Sequence, residues 1–531
     1  MTSPAPRVAP DAIRATGRPS LAGLAMDLGL GLLAALGQAP WNLWFLTVAA
    51  LAVLCWRIAG AGDARRAFWH ALVAGFGHFA LAMSWIVEPF LVEPDVYGWM
   101  APFALFFMAL GGGLFWAVPG WLAARIAPMQ IVSRPITAPS IANPGQGLAF
   151  AGLLVLSDWL RGWIFTGLPW ALTGHVWIAT PAGQTAATFG SIGLSALTMT
   201  AAALPLAFRI RPGWRGALPG AVLSVLLIAT AWTAGMARLA RPLPADTGLH
   251  IRLVQPDAAQ ALKWDPYWSE VFFRRLLDLS AARDPGRPAP DAVIWPETAV
   301  NFLLDQSGTA AQDIAGFAGA PIILGIQRSE GERYFNSLTE FTSAGIGPVY
   351  DKFHLVPFGE YTPWGDVMAR FGIRAFAAQH GFGYSPGPGP RVLRLQSLPP
   401  VQPLICYEAV FSRHLIAGQD RPQWLLQVTN DAWFGSLSGP WQHLAQARLR
   451  AIESGLPLMR AANTGVSAVI DAHGGLRAEL GLNLAGRIDA ALPAALPPTP
   501  WSRWGDWPAV LLAAAAVAGA AMRRRLTTTG A

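Results

Sequence analysis

The chain has 531 residues, of which 53% are hydrophobic and only 13% are charged. Globular domains usually carry about 25% charged residues, so this composition argues against an entirely soluble protein and indicates a membrane protein. The net charge of +7 comes from short basic clusters between apolar segments, without the aromatic-interleaved basic stripe of a nucleic-acid-binding protein. Two cysteines cannot form a disulfide framework, and the sequence contains no CxxC or HExxH metal motif. We therefore expect neither nucleic acid nor a metal as a partner.

Eight apolar segments are predicted to be membrane spans, since crossing the hydrocarbon core takes about 20 mostly apolar residues. They lie near 20–37, 41–58, 67–87, 98–125, 147–165, 187–208, 217–236 and 506–522. The first segment also resembles a cleaved signal peptide because "LAALGQAP" ends in small residues, but the closely following apolar run favours a hairpin of spans. We predict a membrane domain of about seven spans at 1–244, an extramembrane domain at 245–500, and a final span with a basic tail at 501–531.

Arginine clusters in the short loops predict the orientation, because Lys and Arg in such loops favour the cytoplasmic side. The loops on the opposite side are poor in arginine, and one of them carries Glu88, Glu93 and Asp95. With eight crossings, the basic positions that fall on one side are Arg7, Arg14, Arg18, Arg57, Arg65, Arg66, Arg125, Arg134, Arg209, Arg211, Arg215, Arg523, Arg524 and Arg525. Both termini are therefore expected in the cytoplasm, and 245–500 on the outer side, which is the periplasm in a cell that has one.

Residues 245–500 alternate strand-like and helix-like stretches, a pattern typical of an α/β layered domain. Continuous apolar runs such as "AVIW" and "WLLQV" favour strands that are covered on both faces. Strands are predicted at 249–255, 291–297, 320–328, 334–342, 347–357, 402–408, 424–431, 457–465 and 466–474. Helices are predicted at 269–283, 309–319 and 439–455.

Three ionisable residues lie in or at the ends of predicted strands of this domain. Glu297 closes "AVIWPE", Lys352 lies in "YDKFHLVPFGEY", and Cys406 closes "PLICYE". Because ligand sites in α/β sheets lie beyond the carboxyl ends of strands, the three side chains are candidates for one site. Taken singly, each also fits a plainer role, as a surface carboxylate, a solvated loop charge or a small buried thiol.

Together the three side chains supply the parts needed for acyl transfer through a thioester. A carboxylate accepts the thiol proton, the thiolate attacks, and a lysine ammonium holds the oxyanion of the tetrahedral intermediate. The predicted topology places Cys55 near the cytoplasmic end of the second span, so it cannot form a disulfide with Cys406. The one GxSxG match, "GYSPG" at 383–387, overlaps the Gly/Pro-rich run 384–390 that is predicted as a loop, so it is not the strand-to-helix elbow of a serine hydrolase. No His is followed five residues later by Asp, which argues against the common His/Asp acyltransferases.

The motifs "WPE", "LVPFGEY", "CYE" and "NDAWFG" resemble those of the nitrilase, or carbon–nitrogen hydrolase, superfamily, whose triad is Glu–Lys–Cys. An eight-span protein with such a domain before its last span resembles the apolipoprotein N-acyltransferases of bacteria, and this resemblance covers essentially the whole chain. It is also carried by "FTGLPWALTGH", "KWDP", "VTNDAWFGSLSGPWQH" and "RAANTGVSAVID". The implied fold class is a polytopic α-helical membrane protein with an extramembrane α/β domain, the nitrilase αββα sandwich.

The resemblance also implies roles for individual residues. It makes Glu297 the base, Lys352 the oxyanion stabiliser and Cys406 the nucleophile, with Glu360 in "PFGEY" as an additional active-site glutamate. Positions that support activity in the family are matched by Tyr407, Glu408 and Asn336. Independently of the resemblance, Arg161 lies near the external end of its span, where it is a candidate contact for a lipid phosphate, with interfacial snorkelling as the alternative.

The function implied by the resemblance is acyl transfer between two lipid substrates at a bacterial inner membrane, with no cofactor. A phospholipid donates a fatty acyl chain to Cys406, and the α-amino group of the diacylglyceryl-modified N-terminal cysteine of an apolipoprotein then accepts it. One alternative that the triad leaves open is a membrane-anchored amidase or nitrilase acting on small amides. Another is a transporter or scaffold, against which the nearly charge-free span interiors and the lack of an internal repeat argue.

Overall fold

The structure, a computed structural model, describes residues 19–127, 143–209, 214–363, 383–396 and 398–529. Among the predicted cytoplasmic arginines, Arg7, Arg14, Arg18, Arg134 and Arg211 lie outside the described residues, as do the side chains of Arg523, Arg524 and Arg525. The α-helices of nine or more residues in the described ranges are α1 Leu21–Ala35, α2 Trp44–Ala59, α3 Ala64–Ala82, α4 Ala101–Ile126, α5 Pro144–Arg161, α6 Ala186–Ala207, α7 Leu218–Leu239, α8 Pro266–Ala281, α9 Ala310–Ala318, α10 Gly439–Ser454 and α11 Trp507–Thr529.

The apolar helices α1 to α7 and α11 occupy the eight segments that the sequence predicts as spans. By length and hydropathy, three helical stretches of the described chain can cross a membrane: Pro94–Ile126, Pro181–Ala207 and Trp214–Leu239. The number rises to four if α3 and the short helix Ser84–Leu91, bent by 47°, form one span. A 16-residue helix such as α2 is only about 24 Å long, less than the roughly 30 Å of hydrocarbon to be crossed. The helices are therefore confirmed and the count of eight spans is not, because several apolar runs continue into turns beyond the helix ends.

A buried acidic residue in α5 fixes the loop that follows this helix. Asp158 accepts hydrogen bonds from the backbone N–H of Thr173 at 3.0 Å, from its hydroxyl at 2.8 Å, and from the Ser195 hydroxyl at 2.9 Å. It also pairs with Arg161 Nη2 at 3.3 Å. These bonds anchor the segment that carries Trp170, whose indole N–H donates to Gln442 Oε1 in α10 at 2.6 Å. The apolar helices and the sheet domain are thereby joined by direct hydrogen bonds.

The second half of the chain contains two β-sheets. Its strands are β1 His250–Gln255, β2 Ala292–Ile294, β3 Ile322–Glu330, β4 Arg333–Thr342, β5 Gly345–Ile346, β6 Tyr350–Asp351, β7 Val401–Ile405, β8 Trp424–Thr429, β9 Leu458–Ala462, β10 Ser467–Ile470, β11 Leu476–Leu480 and β12 Gly486–Ala491. The first sheet has the order β12-β1-β2-β3-β4-β5, with β6 also paired to β4, and the second has the order β11-β10-β9-β8-β7. The central strands β1, β2 and β3 run parallel, as do β7, β8 and β9.

The two sheets face each other and helices cover their outer faces. Alternate strand residues point to opposite faces, so Leu253 and Ile294 of the first sheet share one core with Ile405 and Val428 of the second. The outer face of the first sheet is covered by α8 and α9, and that of the second by α10. This order of layers confirms the predicted αββα sandwich.

The structure shortens two predicted strands and adds two that the sequence does not predict. The predicted strand 347–357 is a strand only at Tyr350–Asp351, because the chain then leaves β4 to form the loop that begins at Lys352. The predicted strand 402–408 ends at Ile405, since Cys406 begins a short 3₁₀ helix. The strands β11 and β12 were not predicted, because only partly buried sequences such as "LRAEL" lack a strong apolar pattern.

Candidate active site

Three strand ends bring the predicted catalytic residues to one edge of the sandwich. Glu297 follows β2, Lys352 follows β6, and Cys406 follows β7 of the opposite sheet. Strand β3 runs so close to the first of these that a Cβ atom on Gly325 would lie 2.5 Å from the Glu297 Cα. A glycine is therefore required at position 325 for the carboxylate to take this place.

A lysine held between two carboxylates forms the centre of the site. Lys352 Nζ lies 2.8 Å from Glu360 Oε1 and 3.4 Å from Glu297 Oε1. Its side chain is only 1% exposed, so its charge is compensated by protein groups rather than by water. Burial by itself lowers the pKa of Lys352, but the carboxylates of Glu360 and Glu297 outweigh it and raise that pKa well above its usual value. The side chain is therefore a permanent ammonium ion.

Asn336 and backbone amides fix the orientation of both carboxylates. Asn336 Nδ2 donates to Glu297 Oε1 at 2.7 Å and to Glu360 Oε1 at 3.1 Å. The second oxygen of Glu297 accepts from the Asn430 N–H at 2.9 Å, and that of Glu360 from the Val356 N–H at 2.9 Å. With every carboxylate oxygen engaged, the two glutamates are held rigidly beside the lysine.

Cys406 is a buried thiol in an unusual backbone conformation. Its φ is +50°, in the left-handed region that residues other than glycine rarely adopt. Burial raises the pKa of the Cys406 thiol, the Glu297 carboxylate raises it further, and Lys352 opposes the rise. The resting residue is therefore a thiol that becomes nucleophilic only when a base removes its proton. Glu297 is the carboxylate that acts most strongly on this thiol.

Glu408 ties the cysteine loop to the lysine loop. One of its oxygens accepts from the N–H groups of Phe353 at 2.9 Å and His354 at 3.3 Å, directly after Lys352. The other accepts from the Ile405 N–H at 2.8 Å and from the Tyr350 hydroxyl at 2.9 Å. Burial raises the pKa of Glu408 to about 7, against the effect of these donors. Glu408 thus links the loop that carries Cys406 to the loop that carries Lys352. None of these bonds involves the Cys406 side chain.

Tyr407 connects the site to the apolar helices. Its hydroxyl donates to the Gly167 carbonyl at 3.1 Å, in the loop after α5, and its ring packs edge-on against Phe411. This loop is also held by Arg413, which donates to the Gly162 and Thr166 carbonyls. The residue after the cysteine therefore lies at the junction between the sheet domain and the membrane-side helices.

Arg161 is not placed as the lipid-phosphate hypothesis expects. The residue is only 4% exposed, and its Nη1 donates to the carbonyls of Leu168 at 2.8 Å and Trp170 at 2.6 Å. Together with the Asp158 ion pair, these bonds turn the guanidinium inward toward the loop after α5. The position of Arg161 favours a structural role over a headgroup contact. The sequence shows where this residue lies along the helix, but it does not show the direction of its side chain.

The sequence did not single out Asn430, although its backbone N–H orients Glu297. The Asn430 side chain is fixed in turn by Gln260 Oε1 at 2.7 Å and by Asn463 Nδ2 at 2.9 Å. The sequence contains a pattern that could have indicated Asn430, because the polar "TND" directly follows the apolar run "WLLQV". The candidate catalytic residues Glu297 and Cys406 follow apolar runs in the same way. No group of three or more His, Cys, Asp and Glu suited to a metal ion occurs among the described residues, and the absence of a cofactor stays a prediction.

Comparison with known proteins shows which families this chain resembles. Residues 30–204 match the apolipoprotein N-acyltransferase N-terminal domain, and residues 281–520 match the carbon–nitrogen hydrolase family. An apolipoprotein N-acyltransferase of Bradyrhizobium diazoefficiens is 37% identical over 93% of this chain and 94% of its own length. One from Caulobacter vibrioides is 37% identical over 91% of both chains. A solved carbon–nitrogen hydrolase superfamily protein from Xanthomonas campestris is 23% identical, with a TM-score of 0.35, over 50% of this chain and 97% of its own.

The fold and the family matches define an acyltransferase enzyme that carries a carbon–nitrogen hydrolase domain. More particularly, the chain belongs to the apolipoprotein N-acyltransferase family, because its similarity to that family's members extends over nearly its whole length. The family implies lipid and lipoprotein substrates, and the apolar helices indicate a membrane protein.

Proposed function

We propose that this enzyme moves a fatty acyl chain from a membrane phospholipid to the α-amino group of a diacylglyceryl-modified N-terminal cysteine. The observation that carries the proposal is the placement of Lys352 between Glu297 and Glu360, with the charges of Lys352 and Glu297 acting on the Cys406 thiol. Nucleophile, base and cation are the parts that acyl transfer through a thioester requires.

In the first half-reaction, Glu297 takes the proton of Cys406 and the thiolate attacks the ester carbonyl of the phospholipid. The ammonium of Lys352 lies beside the oxyanion of the tetrahedral intermediate and stabilises its charge. When the intermediate collapses, the C–O bond breaks, the lysophospholipid oxygen takes the proton from Glu297, and a thioester remains on Cys406. The buried carboxylates of Glu297 and Glu360 hold the lysine in place throughout.

In the second half-reaction, the α-amine of the acceptor attacks the thioester carbonyl. Glu297 accepts a proton from the attacking nitrogen, Lys352 again lies beside the oxyanion, and the C–S bond breaks as the amide forms. The departing thiolate takes the proton from Glu297, which restores the resting enzyme. Asn336, Glu360, Tyr407 and Glu408 support these steps by fixing the catalytic residues and their loops.

We further propose that residues 1–244 form the membrane domain, 245–500 the catalytic domain, and 501–531 a last membrane helix with a cytoplasmic tail. The arginine-rich loops support an inner-membrane orientation with both termini in the cytoplasm and the catalytic domain in the periplasm. Cysteine-labelling reagents that cannot cross the membrane test this orientation. In a variant whose single cysteine is Glu332→Cys, at an exposed position, the thiol should react with reagent added outside the cell. Reaction only with reagent on the cytoplasmic side would contradict the topology.

The chemistry is tested with purified full-length enzyme and phospholipid in the absence of an acceptor. Mass spectrometry should find the acyl chain on the Cys406 peptide, and adding a diacylated lipopeptide should transfer it to the peptide's α-amine. Cys406→Ala should abolish both signals, while Cys55→Ala, which changes the other cysteine, should retain them. Lipopeptide acylation by Cys406→Ala at the wild-type rate would refute the assignment of the nucleophile.

The same experiment separates this function from that of an amidase acting on small amides. An amidase would release ammonia from a small amide and would leave Cys406 unlabelled by phospholipid. We expect the opposite result, an acyl group on Cys406 with phospholipid alone and no ammonia release.

A further inference from the structure

The backbone carbonyl of Cys406 is held by a side chain from the neighbouring strand. Gln427 Nε2, on β8, donates to Cys406 O at 3.2 Å and lies 3.0 Å from His443 Nε2. Arg460 Nη1 donates to Gln427 Oε1 at 2.5 Å, which turns the NH2 group of the amide toward the cysteine. Gln427, His443 and Arg460 are all fully buried, so water does not compete for these bonds.

A threonine on the same strand lies beside Cys406. Thr429 lies two residues after Gln427, so both side chains project from the same face of β8. The strand register pairs Ile405 of β7 with Val428 of β8, so Thr429 comes next to Cys406. The Thr429 hydroxyl donates to Asp431 Oδ1 at 2.9 Å. A hydroxyl carries one proton, so Thr429 donates to Asp431 while the cysteine is a thiol and can turn that proton toward a thiolate.

Asp431 anchors both branches of this network. It accepts from His443 Nδ1 at 2.9 Å and forms a buried ion pair with Arg460. Burial raises the pKa of Asp431, but Arg460 and His443 outweigh it and hold that pKa at about 2. The carboxylate is therefore always present as an acceptor, and it keeps the Thr429 hydroxyl and the His443 ring in place.

The backbone at Cys406 needs such support. Its φ of +50° is unfavourable for a residue with a side chain and persists only when the surroundings impose it. Since C=O and N–H point in opposite directions across a trans peptide, holding the Cys406 carbonyl against Gln427 also directs the Tyr407 N–H away from Gln427. His443 Nε2 lies 3.1 Å from the same carbonyl oxygen. The contacts at this one carbonyl therefore set the direction of both Cys406 and the following amide.

We propose that Gln427, Thr429, Asp431, His443 and Arg460 form a positioning network that fixes Cys406 at both its carbonyl oxygen and its thiol. This inference rests on the proposed role of Cys406 as nucleophile. The five side chains act through the cysteine, as positioning residues. Thr429 stabilises the thiolate that forms when the cysteine proton leaves, and Gln427 holds the strained backbone that aims it.

The test measures the thiol itself, by alkylation of full-length enzyme in detergent across about pH 6 to 10 and mass spectrometry of the Cys406 peptide. Thr429→Val keeps the shape of the side chain but removes the hydroxyl. Since a hydrogen bond to a charged group is lost, we expect alkylation to slow about tenfold to a hundredfold and its pH profile to move to higher pH. Thr429→Ser, which keeps a hydroxyl, should restore the wild-type profile. The other charged groups that face the thiol, Glu297, Lys352 and Asp431, are unchanged in both variants.

A second variant tests the carbonyl branch. Gln427→Met should lower the rate of acyl-Cys406 formation at saturating phospholipid by about tenfold, with the KM for phospholipid unchanged, because Gln427 acts through Cys406. Thermal unfolding of the same preparation measures the stability lost when Arg460 Nη1 loses its acceptor, and rates are compared per folded molecule. A wild-type alkylation profile in Thr429→Val would overturn the inference, as would a wild-type acylation rate in Gln427→Met. The proposed function fails separately, if the wild-type enzyme itself forms no acyl-Cys406 from phospholipid.

Discussion

Two buried ionic clusters, one in the apolar helices and one in the sheet domain, are both built from acidic and basic side chains but differ in their balance of charge. Around Asp158 the charges balance, since one carboxylate meets one guanidinium, and Thr173 and Ser195 supply the remaining donors. Around Lys352 one ammonium meets two carboxylates, and the charges of Lys352 and Glu297 act on the Cys406 thiol. The first cluster is electrically complete, whereas the second carries an additional negative charge.

This difference separates a structural cluster from a reactive one. In the proposed mechanism a proton moves from Cys406 to Glu297, and the ammonium of Lys352 faces the negative charge both before and after the transfer. Near Asp158, every partner is committed to holding the loop after α5. Substitutions in the two clusters should therefore separate catalysis from stability.

The largest expected effect is loss of catalysis in Lys352→Met. Removing a group that stabilises an oxyanion lowers turnover about 10²- to 10³-fold, and acyl-Cys406 formation from phospholipid should fall by this amount. Lys352→Arg should fail as well, because the planar guanidinium does not fit between the two carboxylates. The exposed cation Arg274 provides the control, and Arg274→Met should acylate normally. Near-normal rates in Lys352→Arg would count against a direct role at the oxyanion.

The next effect is loss of stability in Asp158→Asn. The change leaves Arg161 buried without a counter-charge, and we expect the free energy of unfolding to fall by about 2–3 kcal/mol. Thermal unfolding in detergent measures this loss, while acyl-Cys406 formation per folded molecule should stay within about twofold of wild type. Ser195→Ala, which removes a single neutral donor, should cost only about 1 kcal/mol. If Asp158→Asn instead loses acylation with its stability intact, the distinction between the two clusters is wrong.

A smaller loss of activity is expected for Glu360→Gln. The amide keeps the shape of the glutamate but removes the charge that holds Lys352 Nζ at 2.8 Å, so acylation should slow by about tenfold. Glu330→Gln, on the exposed end of β3, is the matched control and should behave as wild type. Equal acylation rates in Glu360→Gln and Glu330→Gln would contradict a role for the Glu360 charge in the reaction.

The smallest effect is expected for Tyr407→Phe, which tests the contact between the two regions. Loss of the hydrogen bond to the Gly167 carbonyl should lower the free energy of unfolding by about 1 kcal/mol and slow acylation only a few-fold. Stability by thermal unfolding and acylation by mass spectrometry are measured on the same preparation. A loss larger than that of Lys352→Met would show that the hydroxyl takes part in the chemistry.

Local sequence patterns predicted most of the helices and buried strands, because a strongly apolar run is buried in the fold and its pattern is visible in the sequence alone. The strand before Glu297 and the strand before Cys406 were predicted in this way. The weakly apolar β11 and β12 were not, since they become strands only by pairing with β10 and β1. The count of about eight spans stays a prediction for a related reason, because an apolar run does not show where a helix ends or bends.

The sequence by itself determined the composition of the site, since the residues of the proposed triad and their supporting glutamates stand in recognisable motifs along one chain. The tertiary structure decided how these residues are used. It turned Arg161 inward, made Glu408 a bridge between two loops, and brought Gln427 against the carbonyl of Cys406, with Thr429 next to that residue. The physical reason is that hydrogen bonds between distant segments depend on side-chain direction and strand register, which are fixed only when the two sheets pack together.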